Sequence, residues 1–158
     1  VTGSRIVAVN TLQAIAESVT SETSPEINRL HVVSDAQREQ LFMSDFSRTD
    51  TGFWESSGPI NIVDCDQWLK SAADQASSAF ATVGPGLTKL VDDLPESIGC
   101  LPEEMWTPRA SNVAAIAERL AADNQFADPF ELEPFYLRKS SAEEKRDAKL
   151  AAEAANQN

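Results

Sequence analysis

Leu30 to Phe46 holds two apolar runs separated by a polar break. Leu30, His31, Val32 and Val33 form the first, Ser34, Asp35 and Ala36 interrupt it, and Leu41, Phe42, Met43 and Phe46 make up the second. Two strand-like runs this close predict a hairpin or tight strand pair. Asp35 at the break suits a turn, because its carboxylate can bond its own backbone. In the second run Leu41 and Met43 point to one face, Phe42 and Phe46 to the other. Apolar residues on both faces predict a central strand with helices covering either side.

The other segments read as that cover. Arg5 to Val9, RIVAV, predicts a short strand. Asn10 can cap a following helix, with Gln13 at the capping-box position. Leu12, Ile15, Ala16 and Val19 then recur at one face of a helix. Val19 to Arg29 is a polar loop. Arg48 to Pro59 is a loop or the tip of a longer hairpin, in which the aromatic pair Phe53 and Trp54 suits a lid on the core better than a ligand platform. Ile60 to Val63 predicts a strand. Asp64 is placed to cap a helix running to about Ala76, with Val63 and Trp68 spaced as a hydrophobic staple. Phe80 to Val83 predicts another strand, ending in Gly84-Pro85-Gly86 and a short helical stretch. Asp92 to Met105 is an acidic connector. Thr107 and Pro108 fit the start of a helix, whose apolar face is Val113, Ile116, Ala117 and Leu120 and whose end falls at Asp123-Asn124. Phe126 to Phe135 is irregular, and Phe135 to Arg138 is a last piece docking on the core. From Lys139 onward the apolar residues are almost all alanine, so residues 139–158 read as a charged helical or disordered tail with little to bury. The pattern of strands and helices is α/β.

Composition narrows the function classes. A chain of 158 residues can bury a core without staples. Acids outnumber bases 25 to 13, a net charge of −12. That disfavours direct nucleic-acid contact, which needs a basic surface to release phosphate counterions, and it disfavours anionic lipid. It suits a solvated acidic surface, or an acidic face for a basic partner. Two cysteines, Cys65 and Cys100, are too few for a disulfide scaffold and fit reduced thiols. No apolar run approaches the roughly 20 residues that span a bilayer, and no signal peptide is visible. The expected location is cytoplasmic.

The residues themselves offer little catalytic chemistry. His31 is the only histidine, and in a strand it suits a structural role. The cysteines form no CxxC pair, and no GxSxG elbow is present. Asp64 with Asp66, Asp92 with Asp93 and Glu103 with Glu104 are carboxylate pairs that fit caps or solvated faces. Gly84-Pro85-Gly86 could cradle a phosphate, but it lacks GxGxxG spacing and a P-loop lysine, and Pro85 removes an N–H donor. A tight turn fits it better. No catalytic, cofactor-binding or metal-binding residue is therefore assigned.

Several segments, taken together, resemble the TsaB family. VAVNTLQAIAES, Val7 to Ser18, is similar to its "V-x-V-x-T-L-x-A-L-A" segment. SDAQREQLFMSDF resembles its "D-A-R-x-x-E-V-Y-x-A-x-Y" strand pair, with Asp35, Ala36, Leu41 and Phe42 in place. Gln37 stands where that pattern has arginine, and Arg38 follows one place later. ATVGPGLTKL resembles the "V-G-x-G-A" turn. Pro108, Ala110 and Ile116 fit the "P-x-A-x-x-L-A-x-L-A" helix. LEPFYLR resembles the "x-x-P-x-Y-L-R" ending through Pro134, Tyr136, Leu137 and Arg138. The matches keep the family's order across residues 5–138.

The resemblance implies an actin-like ATPase (ribonuclease H-like) fold made of two related α/β halves, here as a mixed sheet covered by helices. The family's N-terminal "D-T-S" strand and "G-P-G-S-F-T-G-L-R" loop are absent, so residues 1–138 correspond to the C-terminal α/β domain. TsaB proteins are non-catalytic paralogues of TsaD. They pair with TsaD, and with the ATPase TsaE, to make threonylcarbamoyladenosine at position 37 of certain tRNAs. The family also carries a glycoprotease-like label, so a peptidase is the competing expectation; a nucleotide-binding module using the glycine turn is another. Tyr136 and Arg138 are the expected partner contacts, and a half lacking its mate is expected to pair with itself through an apolar face.

Overall fold

The computed structural model describes residues 3–134 together with Leu137, Arg146 and Lys149. Its centre is the hairpin. Strand β1 (Arg29–Asp35) pairs antiparallel with β2 (Gln40–Arg48), in a register that sets Leu30 against Phe46 and Asp35 against Leu41. Asp35 Oδ1 accepts from the Gln37 N–H at 2.8 Å, the local bond its place in the turn suggested. The tip is left-handed: Gln37, Arg38 and Glu39 have φ of 61°, 52° and 59°.

Strand β3 (Trp54–Ser56) and strand β4 (Asn61–Asp64) share the outer edge of β2. Strand β5 (Phe80–Val83) lies parallel to β1 on the other side. The sheet order is β3-β2-β1-β5, with β4 beside β2. A parallel neighbour needs a crossover, and helix α2 (Cys65–Asp74) supplies it. The outer edge of β5 is covered by the acidic connector: the Thr82 N–H donates to Gly99 O at 2.7 Å and the Leu101 N–H to Thr82 O at 3.0 Å.

Both faces of the sheet are buried, as the pattern of β1 and β2 predicted. Alternation puts Leu30, Val32, Phe46 and Trp54 on one face, against Leu12 and Ile15 of helix α1 (Thr11–Ala16). His31, Val33, Leu41 and Phe80 face the other way, toward Trp68 and Ala72 of α2. Asn10 caps α1, with Oδ1 accepting from the Leu12 N–H at 2.8 Å. Gln13 does not close a capping box; its amide donates to Trp54 O at 3.2 Å and ties α1 to β3.

Several expectations are corrected. Arg5–Val9 is not a strand of the sheet; among the described residues only Ile6 of this segment pairs, in one antiparallel bridge to Ala127. Trp54 is not a loop lid but the first residue of β3 and fully buried. Asp64 sits at the cap position of α2 without capping it, since its Oδ1 accepts from Gln40 Nε2 at 2.9 Å. Helix α3 (Ala110–Ala122) starts after Arg109, two residues later than Thr107 and Pro108 predicted, and no side chain caps it. Of its predicted apolar face only Ile116 is buried, and Val113 is 38% exposed. The helix is held instead by polar contacts with α1 and its flank. Asn112 Nδ2 donates to Ala14 O at 3.1 Å and Ser18 Oγ at 2.9 Å, and Arg119 pairs with Glu17 at 3.0 Å. Its end at Asp123 and the left-handed Asn124 (φ 57°) is as predicted. Phe135, Tyr136 and Arg138 lie outside the described residues. So does the tail, apart from Arg146 and Lys149, which are helical and exposed.

Candidate functional site

An open groove of about 910 Å³ lies at the start of α1. Ala8, Val9 and Leu12 form one wall, Phe42 and Ile60 from β2 and the approach to β4 another, and Leu132 and Leu137 close it from the C-terminal side. Ser34, Asn10 and Glu133 add polar groups at its rim. Asn10 is committed to capping α1, so the groove is mainly an apolar surface. It can bind a side chain or a polypeptide segment better than a charged small molecule. Leu137 lines the groove; Tyr136 and Arg138, the expected partner contacts, lie outside the described residues.

A second, smaller cleft of about 250 Å³ lies on the α2 face of the sheet. The hairpin register sets His31 opposite Asp45, and His31 Nε2 is 2.7 Å from Asp45 Oδ1. The pairing is countable from the sequence: once Asp35 fixes the turn, His31 faces Asp45 in the same register. The imidazole is buried, edge-on to Phe80 with ring centroids 4.7 Å apart. The hydrogen bond from His31 holds the Asp45 carboxyl below its ordinary range, against the opposing effect of partial burial.

This dyad resembles the acid–histidine half of a hydrolytic triad, but its other half is missing. His31 Nδ1 is buried with no hydrogen-bond partner. The nearby hydroxyls are engaged elsewhere: Thr82, in register with His31, donates to Gly99 O at 3.1 Å, Ser44 bonds Ser56 at 3.2 Å and Ser47 bonds Ser57 at 2.9 Å. No described hydroxyl is presented to the ring as a nucleophile would be. The contact orients a core histidine.

The dyad gives a pH prediction. A carboxyl with a depressed folded-state pKa adds stability above its unfolded value of about 3.9, and that stability is lost as pH falls through the folded value. Asp45→Asn should therefore be less stable than the parent at pH 7. The gap should be about 1 kcal/mol or less, because the Asp45 side chain is 41% exposed. In urea unfolding the gap should close below about pH 4. A gap that stays constant from pH 7 to pH 3 would show that the His31–Asp45 contact is not its source.

The glycine turn is explained by packing. Gly84 has φ 123°, and a Cβ there would stand 2.2 Å from Val33 O. A Cβ on Gly86 would meet Ser34 N at 3.0 Å and Leu41 Cδ2 at 2.9 Å. The glycines let the turn pass directly over β1, so a ligand in that gap would displace the strand backbone. Cys65 and Cys100 are free, and burial pushes both thiols up, away from the reactive thiolate. Among the described residues no three His, Cys, Asp or Glu side chains gather to hold a metal. No described helix is long and apolar enough to cross a membrane.

No protein-family model and no curated protein sequence matches this chain. Solved structures do. One is an uncharacterized Pseudomonas aeruginosa protein with similarity to peptidase YeaZ: the TM-score is 0.65 at 17% identity, over 85% of this chain and 59% of that one. Another is YeaZ from Pseudomonas aeruginosa: the TM-score is 0.62 at 15% identity, over 84% of this chain and 60% of that one. The fold is that of YeaZ. It is the actin-like, ribonuclease H-like α/β class that the sequence resemblance implied. The chain spans about three fifths of the length of these YeaZ-fold structures. At this level of identity they share a backbone path with it, and no residue role passes from them to His31, Asp45 or the groove.

Proposed function

We propose that this chain is a non-catalytic, cytoplasmic subunit of the machinery that makes threonylcarbamoyladenosine at position 37 of tRNA. It acts by pairing with a TsaD-like enzyme, with a TsaE-like ATPase as the further partner. Residues 1–138 serve as the C-terminal α/β domain of a TsaB-like protein, and residues 139–158 as its tail. The observation that carries this reading is the YeaZ fold, YeaZ being TsaB, in a chain whose sequence segments follow the TsaB order across residues 5–138. The apolar groove supports it as well, because a scaffold works through surfaces that take polypeptide. Tyr136 and Arg138, the matched residues of the family's ending, are the residues to contact the partner.

The test is gel filtration of the chain with a TsaD-like protein, both at micromolar concentration with nucleotide present. The expected result is a shared elution peak that weakens when Tyr136 and Arg138 are both replaced by alanine. Separate elution of the two proteins at every concentration would overturn the reading. The His31–Asp45 pair is the one observation on the side of a peptidase. It predicts cleavage of a protein substrate that disappears in His31→Ala. The scaffold reading expects no cleavage by either form.

A further inference from the structure

The cleft beside His31 is set by the path of α2. The helix begins at the hairpin tip, where the Cys65 N–H donates to Glu39 O at 2.9 Å. It ends at its C-cap Gln75, whose Oε1 accepts from Arg29 Nη2 at 2.7 Å. The end of β2 is left beyond the helix: the Asp45 side chain is 41% exposed, and Ser47 is exposed. The register sets Arg29 opposite Ser47 and His31 opposite Asp45, so all four stand on this one face. The Ser57 N–H donates to Asp45 O at 2.8 Å, which brings a second hydroxyl to the same place.

The bonds already made leave a definite set of donors and one acceptor. The Asp45 carboxylate takes the proton of His31 Nε2 through Oδ1, at 2.7 Å. Nε2 then has no lone pair for the Gln75 amide nitrogen 3.4 Å away. Arg29 holds the Gln75 carbonyl and so fixes the amide, whose NH2 group keeps only a long 3.4 Å contact to Ser71 Oγ. Ser47 and Ser57 share one hydrogen bond at 2.9 Å, which uses one of their two protons. Among the described residues no hydrogen bond reaches Asp45 Oδ2.

From this we infer that the cleft binds a small α-amino acid as its zwitterion. The ligand carboxylate takes donors from Arg29, the Gln75 amide and the serine pair, and the ammonium group donates to Asp45 Oδ2. Arg29 and Asp45 are diagonal neighbours on the strand pair, roughly 7–8 Å apart along the backbone, and their side chains span less between their charged ends. His31 is a positioning residue: it holds one carboxylate oxygen and leaves the other to the ligand. The inference does not depend on the proposed function.

Size and charge select this class of ligand. The cleft measures about 250 Å³, below the roughly 300–1,000 Å³ of sites for drug-sized molecules. It has room for about eight waters, which is too little for a nucleotide or a peptide segment. Its inner end is the buried His31 and the edge-on Phe80 ring, so the ligand side chain is short and apolar. The net charge of −12 repels a simple anion at long range, and a simple cation finds carboxylates over the whole surface. A zwitterion escapes the repulsion and is held where a cation and a carboxylate stand at its own spacing.

The experiment is a nitrogen–proton correlation NMR titration of the 158-residue chain with L-alanine. Propionate and ethylamine, which carry one charge each, are titrated beside it. Saturable shifts should appear at the Ser47 and Ser57 amides and at the Gln75 side-chain amide. L-alanine should bind at least tenfold more tightly than either single-charge probe, the effect of about one hydrogen bond to a charged group. Arg29→Gln and Asp45→Asn should each weaken it by a similar factor, with spectra elsewhere like the parent's to show that both fold. Asp92→Asn, outside the cleft, should bind as the parent does. No shift at these residues up to about 50 mM L-alanine overturns the inference. So does propionate or ethylamine binding as tightly as L-alanine. So does L-alanine binding that survives both Arg29→Gln and Asp45→Asn, which would place it elsewhere.

Discussion

Trp54→Ala should cost about 3–5 kcal/mol of folding stability, the range for deleting a fully buried tryptophan. Trp54 has no exposed surface and joins several elements at once. Its indole N–H donates to Val19 O at 2.8 Å, just beyond α1. Its backbone N–H donates to Glu17 Oε1 at 3.3 Å, and its carbonyl accepts from the Gln13 amide. The Arg48 guanidinium lies 4.6 Å from the ring centroid. Alanine would leave a cavity under α1 and strip the indole donor from the Val19 carbonyl, which keeps only the Arg48 guanidinium at 3.3 Å. Trp54→Phe keeps most of the volume and loses only the indole donor, so it should cost roughly 1–2 kcal/mol. Urea unfolding measures both, with Trp68 and Trp106 left to report by fluorescence. For a domain whose total stability is about 5–15 kcal/mol, the alanine variant should be partly unfolded at body temperature. An alanine cost no larger than the phenylalanine cost would mean that Trp54 is not packed as described.

Gly84→Ala is the second large effect, expected at about 3 kcal/mol or more. Two costs add. The backbone sits at φ 123° and ψ 162°, a conformation that side chains other than glycine's rarely adopt. The new Cβ would also meet Val33 O at 2.2 Å. The obstacle is backbone, so no rotamer change relieves it; β5 and β1 would have to separate. Gly58→Ala is the control, because nothing lies within 4 Å of its Cβ position and its φ is ordinary. It should change stability by less than about 0.5 kcal/mol. Equal midpoints for the two variants in guanidinium unfolding would refute the close approach of the turn to β1.

The two effects share an origin. Trp54 closes one face of the sheet, and Gly84 lets the next connection cross β1 closely enough to close the other. The His31–Asp45 pair sits between Trp68 and Phe80 on that second face. It adds a polar contact to an otherwise apolar layer, which fits its role as a register lock between β1 and β2.

Much of the fold was legible because its signals are local. The hairpin could be read from two apolar runs and Asp35 between them. The cap at Asn10 needed only an acceptor ahead of a periodic run. The strand at Phe80–Val83 and the turn after it followed from an apolar run meeting glycine. The TsaB-like order of segments led to the fold that the YeaZ structures share. These features depend on neighbours within a few residues, where side-chain period and backbone preference act directly.

Tertiary structure decided the rest, because the missing information lay in which segments meet. Arg5–Val9 has strand chemistry, but a strand exists only where a neighbour accepts its hydrogen bonds, and the described chain sets only Ala127 beside it. Trp54 looked like a loop residue until β2 supplied an edge for it to pair with. Helix α3 carried an apolar stripe, yet Asn112 and Arg119 found partners at Ala14, Ser18 and Glu17 and turned the helix onto a different face. Asp45 became the partner of His31 only through the register of two strands. Sequence by itself determined most of the elements and the α/β class; the competition among segments for edges, faces and hydrogen-bond partners decided where the groove opens and which side chains meet across the sheet.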